Sequence, residues 1–194
     1  MLENISIIIP IAPDETTHEQ LLNDLKNCGA EIIISSEGTR AKSLNAGAVK
    51  TQNEFLWFLH ADSRVTKENL VALEKSLQQS PDALHYFDLA FDISGRLKLN
   101  AWGANIRSHY FYLPYGDQGL CLSKKRFEDL GGYPEDAPYG EDLLFVRHAK
   151  KARIKLQNIP SKLQTSSRQY KAYGWAKLTL LRQWQLMILL RQKL

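Results

Sequence analysis

Cysteine is almost absent from the 194 residues: Cys28 and Cys121 stand far apart, and neither belongs to a C-x-x-C pair. That argues against a disulfide framework or a cysteine zinc site and suits a reducing, cytoplasmic setting. No apolar run approaches the roughly 20 residues that a membrane-spanning helix needs. In the C-terminal segment the longest uncharged stretch runs only from Gln183 to Leu190. The first residues, Met1-Leu2-Glu3-Asn4, carry no basic start and no cleavage site, so no secretory signal is expected. Internal repeats and low-complexity linkers are missing too. A net charge of +4 and a pI near 9.0 are too small an excess to argue for nucleic acid. They leave room for phosphate-bearing ligands or an anionic membrane surface. What remains, 44% hydrophobic and 24% charged, is the composition of one globular domain with one core.

The apolar pattern alternates between strand and helix. Ile5–Pro10 is a β-branched run closed by proline, the form of a buried parallel strand. Thr17 to Cys28 puts Leu21, Leu22 and Leu25 on one helix side, and Gly29 ends it. Strands are expected over Glu31–Ser35 and Glu54–Leu59, and helices over Ala41–Lys50 and Lys67–Gln79. The second half predicts a strand over Leu84–Ile93, a helix over Leu97–Tyr112 and a short strand over Gly119–Ser123. A helix over Lys124–Leu130, another from near Glu141 and a strand over Ile154–Ile159 follow. Such alternation makes an α/β sheet of mostly parallel strands, which binds ligands at the strands' carboxyl ends. Candidate residues should then fall just after Pro10, Ser35 and Leu59.

Four clusters carry chemistry. His60 and Asp62 follow a very apolar strand, and in extended backbone residues two apart share a side. They read either as ligands of a hard cation that also meets phosphate oxygens, or as a turn cap and its hydrogen-bonding neighbour. Glu141 and Asp142 open a helix, where carboxylates cap free N–H groups and gain from the helix dipole. In Tyr115-Gly116-Asp117-Gln118-Gly119 the glycines admit a close approach, while Asp117 and Gln118 offer hydrogen bonds to sugar hydroxyls; an ordinary turn is the alternative. Arg40, Lys42 and Asn45 lie near a helix start, a place that receives a diphosphate well; the bland reading is two solvated cations and a structural asparagine.

These blocks resemble the GT-A glycosyltransferases, specifically the bacterial branch of family 2 that carries H-A-D in place of D-x-D. His60-Ala61-Asp62 resembles the metal motif, and Arg40 to Ala48 resembles the R-A-x-x-x-N-A-G-A segment. Ala101-Trp102-Gly103-Ala104-Asn105-Ile106-Arg107-Ser108, Leu113 to Gly119, and Gly131-Gly132-Tyr133-Pro134 followed by Glu141-Asp142 continue the resemblance in order. It implies a GT-A three-layer sandwich with a mostly parallel central sheet and a metal-dependent, inverting transfer of a sugar from a nucleotide-sugar donor. By the same resemblance Asp142 is the general base with Glu141 as substitute, and Asp62 with His60 holds Mn2+ or Mg2+. Pro10, Asp14, Glu15, Ser36, Arg40, Lys42 and Asn45 serve the donor, and Trp102, Asp117 and Gln118 contact sugar or acceptor. The chain departs from the pattern at the base pocket: Ser36 stands where relatives carry a base-reading aspartate, or about one βα unit is missing. Proline also replaces asparagine in the front motif, Pro10-Ile11-Ala12-Pro13-Asp14-Glu15. That shortened front half keeps a second expectation open, a GT-A-like binding protein without turnover.

Residues 1–172 form the expected domain, and 173–194 an apolar and basic helix packed on it. That helix is open to three uses: packing, oligomerisation, or peripheral docking on a lipid surface on the cytoplasmic face, where the acceptor would be lipid-linked.

Overall fold

The computed structural model describes residues 2–13, 16–93 and 95–191. Six strands form one sheet in the order β2-β1-β3-β5-β4-β6. They are β1 Ile5–Pro10, β2 Glu31–Ser35, β3 Phe55–Phe58, β4 Leu84–Phe91, β5 Cys121–Ser123 and β6 Leu156–Thr165. β1 runs parallel to β2 and β3, and β4 parallel to β6; only β5 runs against its neighbours. The expected mostly parallel α/β sheet is therefore present.

Alternation within the strands builds two cores. Ile7 and Ile9 point to one face, where Leu21 of α1 (His18–Asp24) and Leu70, Leu73 and Leu77 of α3 (Lys67–Gln79) cover them. Ile8, Leu56 and Phe58 point to the other, beneath α2 (Arg40–Lys50), α5 (Lys124–Asp129) and α6 (Glu141–Lys151). Helix α2 can approach β1 only because Gly47 lacks a side chain: a Cβ there would lie 2.5 Å from Ile8 Cγ2. Tyr133 stacks on Phe145 at 4.5 Å between ring centres, which holds the start of α6 beside the sheet's carboxyl edge.

Several boundaries differ from expectation, each for a local reason. The first helix ends at Asp24 rather than Cys28, since Asn27 and Gly29 adopt left-handed backbone. β4 stops at Phe91 rather than Ile93. β6 continues past Ile159 to Thr165: the register jumps from Phe87↔Ile159 to Asp88↔Lys162, and the resulting bulge accommodates Pro160 on an edge strand. α4 spans Leu97–Phe111, with Tyr112 left-handed at its end. The expected helix over 173–194 is α8, Trp175–Arg191, and a short α7, Arg168–Tyr173, precedes it across Gly174 at φ 81°. Its last three residues lie outside the described ones. Both cysteines are buried thiols. Among the described residues no helix is long and apolar enough to cross a membrane.

Candidate active site

At the carboxyl edge of the sheet, four chain segments bring charged groups together. Arg40 enters from the first turn of α2, whose N-cap Thr39 accepts from Lys42 N–H. Glu141 and Asp142 come from the first turn of α6, His60 from the segment after β3, and Gly116 from the 3-10 turn Gly116–Gln118. Arg40 Nε donates to Glu141 Oε1, and Arg40 Nη1 lies 3.4 Å from His60 Nε2. A guanidinium can only donate, so Nε2 must accept and the imidazole is neutral with its proton on Nδ1. Burial, and then the charge of Arg40, push the His60 pKa down to about 3.

Asp142 is held from two sides. Its Oδ2 accepts the Gly116 N–H at 2.7 Å and its Oδ1 the Leu143 N–H at 2.8 Å. Burial alone would raise its pKa, but the charge of Arg40 and these two N–H groups outweigh burial and keep the carboxyl below its usual range. Burial likewise opposes the charge on Arg40, and the carboxylates of Asp142 and Glu141 more than restore it. A Cβ on Gly116 would sit 2.8 Å from His60 Nε2 and 3.1 Å from Asp142 Oδ2, so glycine there lets the imidazole and the carboxylate meet one backbone atom.

Next to this cluster, Asp117 differs from Asp142 in kind. Its Oδ1 is enclosed without a hydrogen-bond partner, and burial pushes its pKa up to about 6 against the pull of Arg107, with Asp142 adding to the rise. Arg107 stacks over the Tyr115 ring at 3.5 Å and donates from Nε to Leu113 O, yet its Nη2 is also enclosed and unpaired. An orphan acceptor and an orphan donor thus flank the same loop, the complement a hydroxyl group requires.

The remaining expected residues separate. His60 and Asp62 do not converge, because Ser63 N–H closes a turn onto His60 O and the backbone is no longer extended. Asp62 instead meets Thr165 Oγ1 at 3.4 Å and Arg168 Nε at 3.7 Å, and lines a cavity of about 530 Å³ with Glu19, Ser63, Asp92 and Thr165. Gln118 is fully buried: its Oε1 accepts from Ser108 Oγ and Tyr115 N–H, and its Nε2 donates to Phe87 O. It braces the loop and has no edge left for a sugar. Asn45 is similarly spent, donating to Tyr133 O and Glu135 Oε1 and accepting Tyr133 N–H. Lys42 is exposed on α2, and Trp102, 66% exposed on α4, joins none of the polar contacts around Asp142. Pro10 is buried at the end of β1 opposite Ser35, beside exposed Ser36; Asp14 and Glu15 lie outside the described residues.

Sequence reasoning passed over Arg107 and Arg182. Arg107 lies within the block that resembles family 2, and the close approach expected at Gly116 is made by the protein's own His60 and Asp142. Arg182, on α8, contributes positive charge at both His60 and Asp117, and nothing in the sequence indicates that this helix folds back over the site.

Comparison by sequence finds no matching family model and no matching curated protein. Comparison by structure finds S. aureus TarS 1-349, with a TM-score of 0.65 and 15% identity over 84% of this chain and 60% of that one. The fold is GT-A. A longer TarS structure gives a TM-score of 0.61 at 14% identity, covering 88% of this chain and 38% of the other. TarS 1-349 in complex with UDP-GlcNAc gives 0.55 at 15% identity, over 84% and 58%. The chain thus spans less than two thirds of the TarS chains it matches. Within the GT-A sheet, the Asp142 cluster and the Asp62 cavity both lie at the carboxyl edge, where this architecture receives ligands.

Among the described residues no three His, Cys, Asp or Glu side chains group as an all-protein metal cage. A hard cation that completes its shell with phosphate oxygens needs only one or two carboxylates. Asp62, with a threonine hydroxyl beside it and a cavity before it, fits that role when Arg168, 3.7 Å away, gives up its place to the cation; His60, turned to Arg40, does not.

Proposed function

We propose that this chain is a metal-dependent, inverting glycosyltransferase of the H-A-D branch of family 2, moving a sugar from a nucleoside-diphosphate donor to an acceptor hydroxyl. The observation that carries the reading is the Asp142 carboxyl group, fixed by two backbone N–H groups near the Arg40–Glu141 pair at the ligand edge of a GT-A sheet. Each carboxylate oxygen has two lone-pair sites, and each N–H takes one, so either oxygen can still accept a proton. In transfer, the acceptor oxygen attacks the anomeric carbon while Asp142 takes its proton. The bond from that carbon to the phosphate oxygen breaks, and the nucleoside diphosphate leaves with the electron pair. Asp62 would hold Mn2+ or Mg2+, which would supply positive charge to neutralise that leaving group. Asp117, in the loop next to Asp142, contacts a sugar hydroxyl once that loop uncovers its enclosed Oδ1. Crystal structures of TarS with UDP-GlcNAc and with UDP support a uridine nucleotide as the first donor to try.

One feature favours a second reading, a GT-A-like binding protein: both Asp142 oxygens already serve as caps, and a lowered pKa weakens the base. Donor hydrolysis with and without Mn2+ separates the two. Metal-dependent release of UDP by wild type, lost in Asp142→Asn while UDP still binds, supports the transferase. UDP binding with no turnover under any metal overturns it.

A further inference from the structure

The charge of this chain is divided along its length. Residues 1–142 hold all 21 Asp and Glu against 13 Lys and Arg, while residues 143–194 hold 12 Lys and Arg and no acid. The stretch from Ile93 to Gly116, which includes α4, also lacks acids and carries Arg96, Lys98 and Arg107. The two acid-free regions meet: Asn100 of α4 donates to Thr179 Oγ1 at 2.9 Å and accepts from Trp175 Nε1 at 2.7 Å on α8.

Large apolar side chains are exposed on the same two helices. On α4 they include Leu99 at 62%, Trp102 at 66% and Tyr110 at 76%. α8 is anchored through Leu178 and Leu189, Leu189 packing against Leu143 and Leu144 and lying over Gly140. Its other side carries Leu180 at 70%, Trp184 at 55% and Met187 at 53% exposure, with exposed Arg191 next in the series. Positions 180, 184, 187 and 191 recur at intervals of four, three and four, which places them on one stripe of the helix. α8 is therefore apolar on both sides, the inner side spent on the fold and the outer one facing solvent. An exposed apolar stripe of this kind marks a docking site.

The charge decides between occupants. A second copy of the chain, docked face to face, would set α4 and α8, which carry Lys98, Arg107, Lys177, Arg182 and Arg191 and no acid, against the same cations. An anionic bilayer offers the opposite charge, and an apolar stripe flanked by lysine and arginine is what an interfacial helix presents to it. We propose that the α4–α8 face docks peripherally on an anionic lipid surface, with Leu180, Trp184 and Met187 entering the headgroup boundary and Lys177 and Arg191 meeting lipid phosphates. The docking does not depend on the transferase reading. Arg182, on the inner side of α8, faces the Asp117 and His60 cluster, so the candidate site lies directly behind the docking helix.

Flotation of the full chain with vesicles tests this. Vesicles containing phosphatidylglycerol should bind at least about tenfold more protein than pure phosphatidylcholine vesicles, and high salt should release it. Leu180→Glu combined with Trp184→Glu and Met187→Glu should abolish flotation while the unfolding temperature stays near wild type. Lys177→Glu with Arg191→Glu, two exposed changes that leave the packing intact, should weaken it by about tenfold or more. Wild type that fails to float with anionic vesicles overturns the proposal, as does binding that ignores both lipid charge and the double charge reversal. So does a concentration-dependent dimer that the triple variant dissolves while wild type stays off vesicles, because the stripe then belongs to a second copy.

Discussion

Replacing Gly116 by alanine puts a methyl carbon 2.8 Å from His60 Nε2, 3.1 Å from Asp142 Oδ2 and 3.3 Å from Asp142 Cβ. An ordinary contact needs about 3.4 Å or more, so imidazole and carboxylate must each retreat by several tenths of an ångström. Neither has slack: Arg40 holds the histidine, and the Gly116 and Leu143 N–H groups hold the carboxylate. Forcing a methyl group into a fitted site costs about 1–3 kcal/mol. A chain of this size loses roughly 2–4 °C per kcal/mol, so the melting temperature should fall by about 2–12 °C. Gly103→Ala is the matched control. Nothing lies within 4 Å of its Cβ in the middle of α4, and a helical alanine should raise stability by about 0.5–1 kcal/mol. Thermal unfolding of both variants beside wild type, with UDP-sugar turnover measured on the same samples, reads the difference. If Gly116→Ala melts with wild type and turns over equally fast, the close meeting of His60 and Asp142 at this glycine is not a feature of the molecule.

Asp142→Asn keeps the shape but removes the charge; sugar transfer should drop by about 10²–10⁴ while the UDP dissociation constant measured by calorimetry changes little. Asp62→Ala should abolish the Mn2+ dependence of UDP binding in a thermal-shift titration, whereas His60→Gln should leave that dependence in place. Arg40→Gln leaves Glu141 and Asp142 without their cation. The loss in chemical denaturation should be about 1–3 kcal/mol, below that of a fully buried pair because the Arg40 side chain is 41% exposed. Asp117 has a folded pKa near 6, above its ordinary 3.8, so the folded state holds a proton that the unfolded chain has released between those values. Wild-type stability contributed by this group falls as pH rises through that window. Asp117→Asn should therefore gain on wild type from about pH 4 to about pH 6 and keep its lead above, as read from melting temperatures across that range.

The strand–helix order was legible because β1 is a short β-branched run closed by Pro10 and buried on both faces, too short for a helix and bounded where a helix would continue. The order of the sequence blocks also held information, but not the kind a ligand list suggests. Asn45 and Gly132-Tyr133 lie far apart in the chain and look like separate motifs. They are one clip, in which the Asn45 side chain bonds both ways to the Tyr133 backbone and a Cβ on Gly132 would meet Asn45 Oδ1 at 2.8 Å. Gln118 is the same case, a polar residue placed in a motif by its packing rather than by a sugar. Spacing could not separate His60 from Asp62, because the four-residue turn His60 to Ser63 undoes the side-sharing rule for extended chain. Nor could hydropathy place α8, since a helix apolar on both sides has no direction to read. Gly174 is the one local signal that the C-terminal segment changes course.

The bulge at Pro160 also governs how the molecule treats its neighbours. β6 closes one end of the sheet, and an edge strand ordinarily leaves a row of N–H and C=O groups free to recruit a foreign strand. Here the row is broken in its middle. Proline supplies no N–H, and the register jump between Phe87 and Asp88 twists the strand away from a straight partner. A ten-residue β6 thus presents two short, misaligned segments in place of one continuous template. Pro160→Val would return one N–H to that row while the register jump remains, so any rise in self-association over the native chain, read by light scattering, measures the share of the protection that proline supplies.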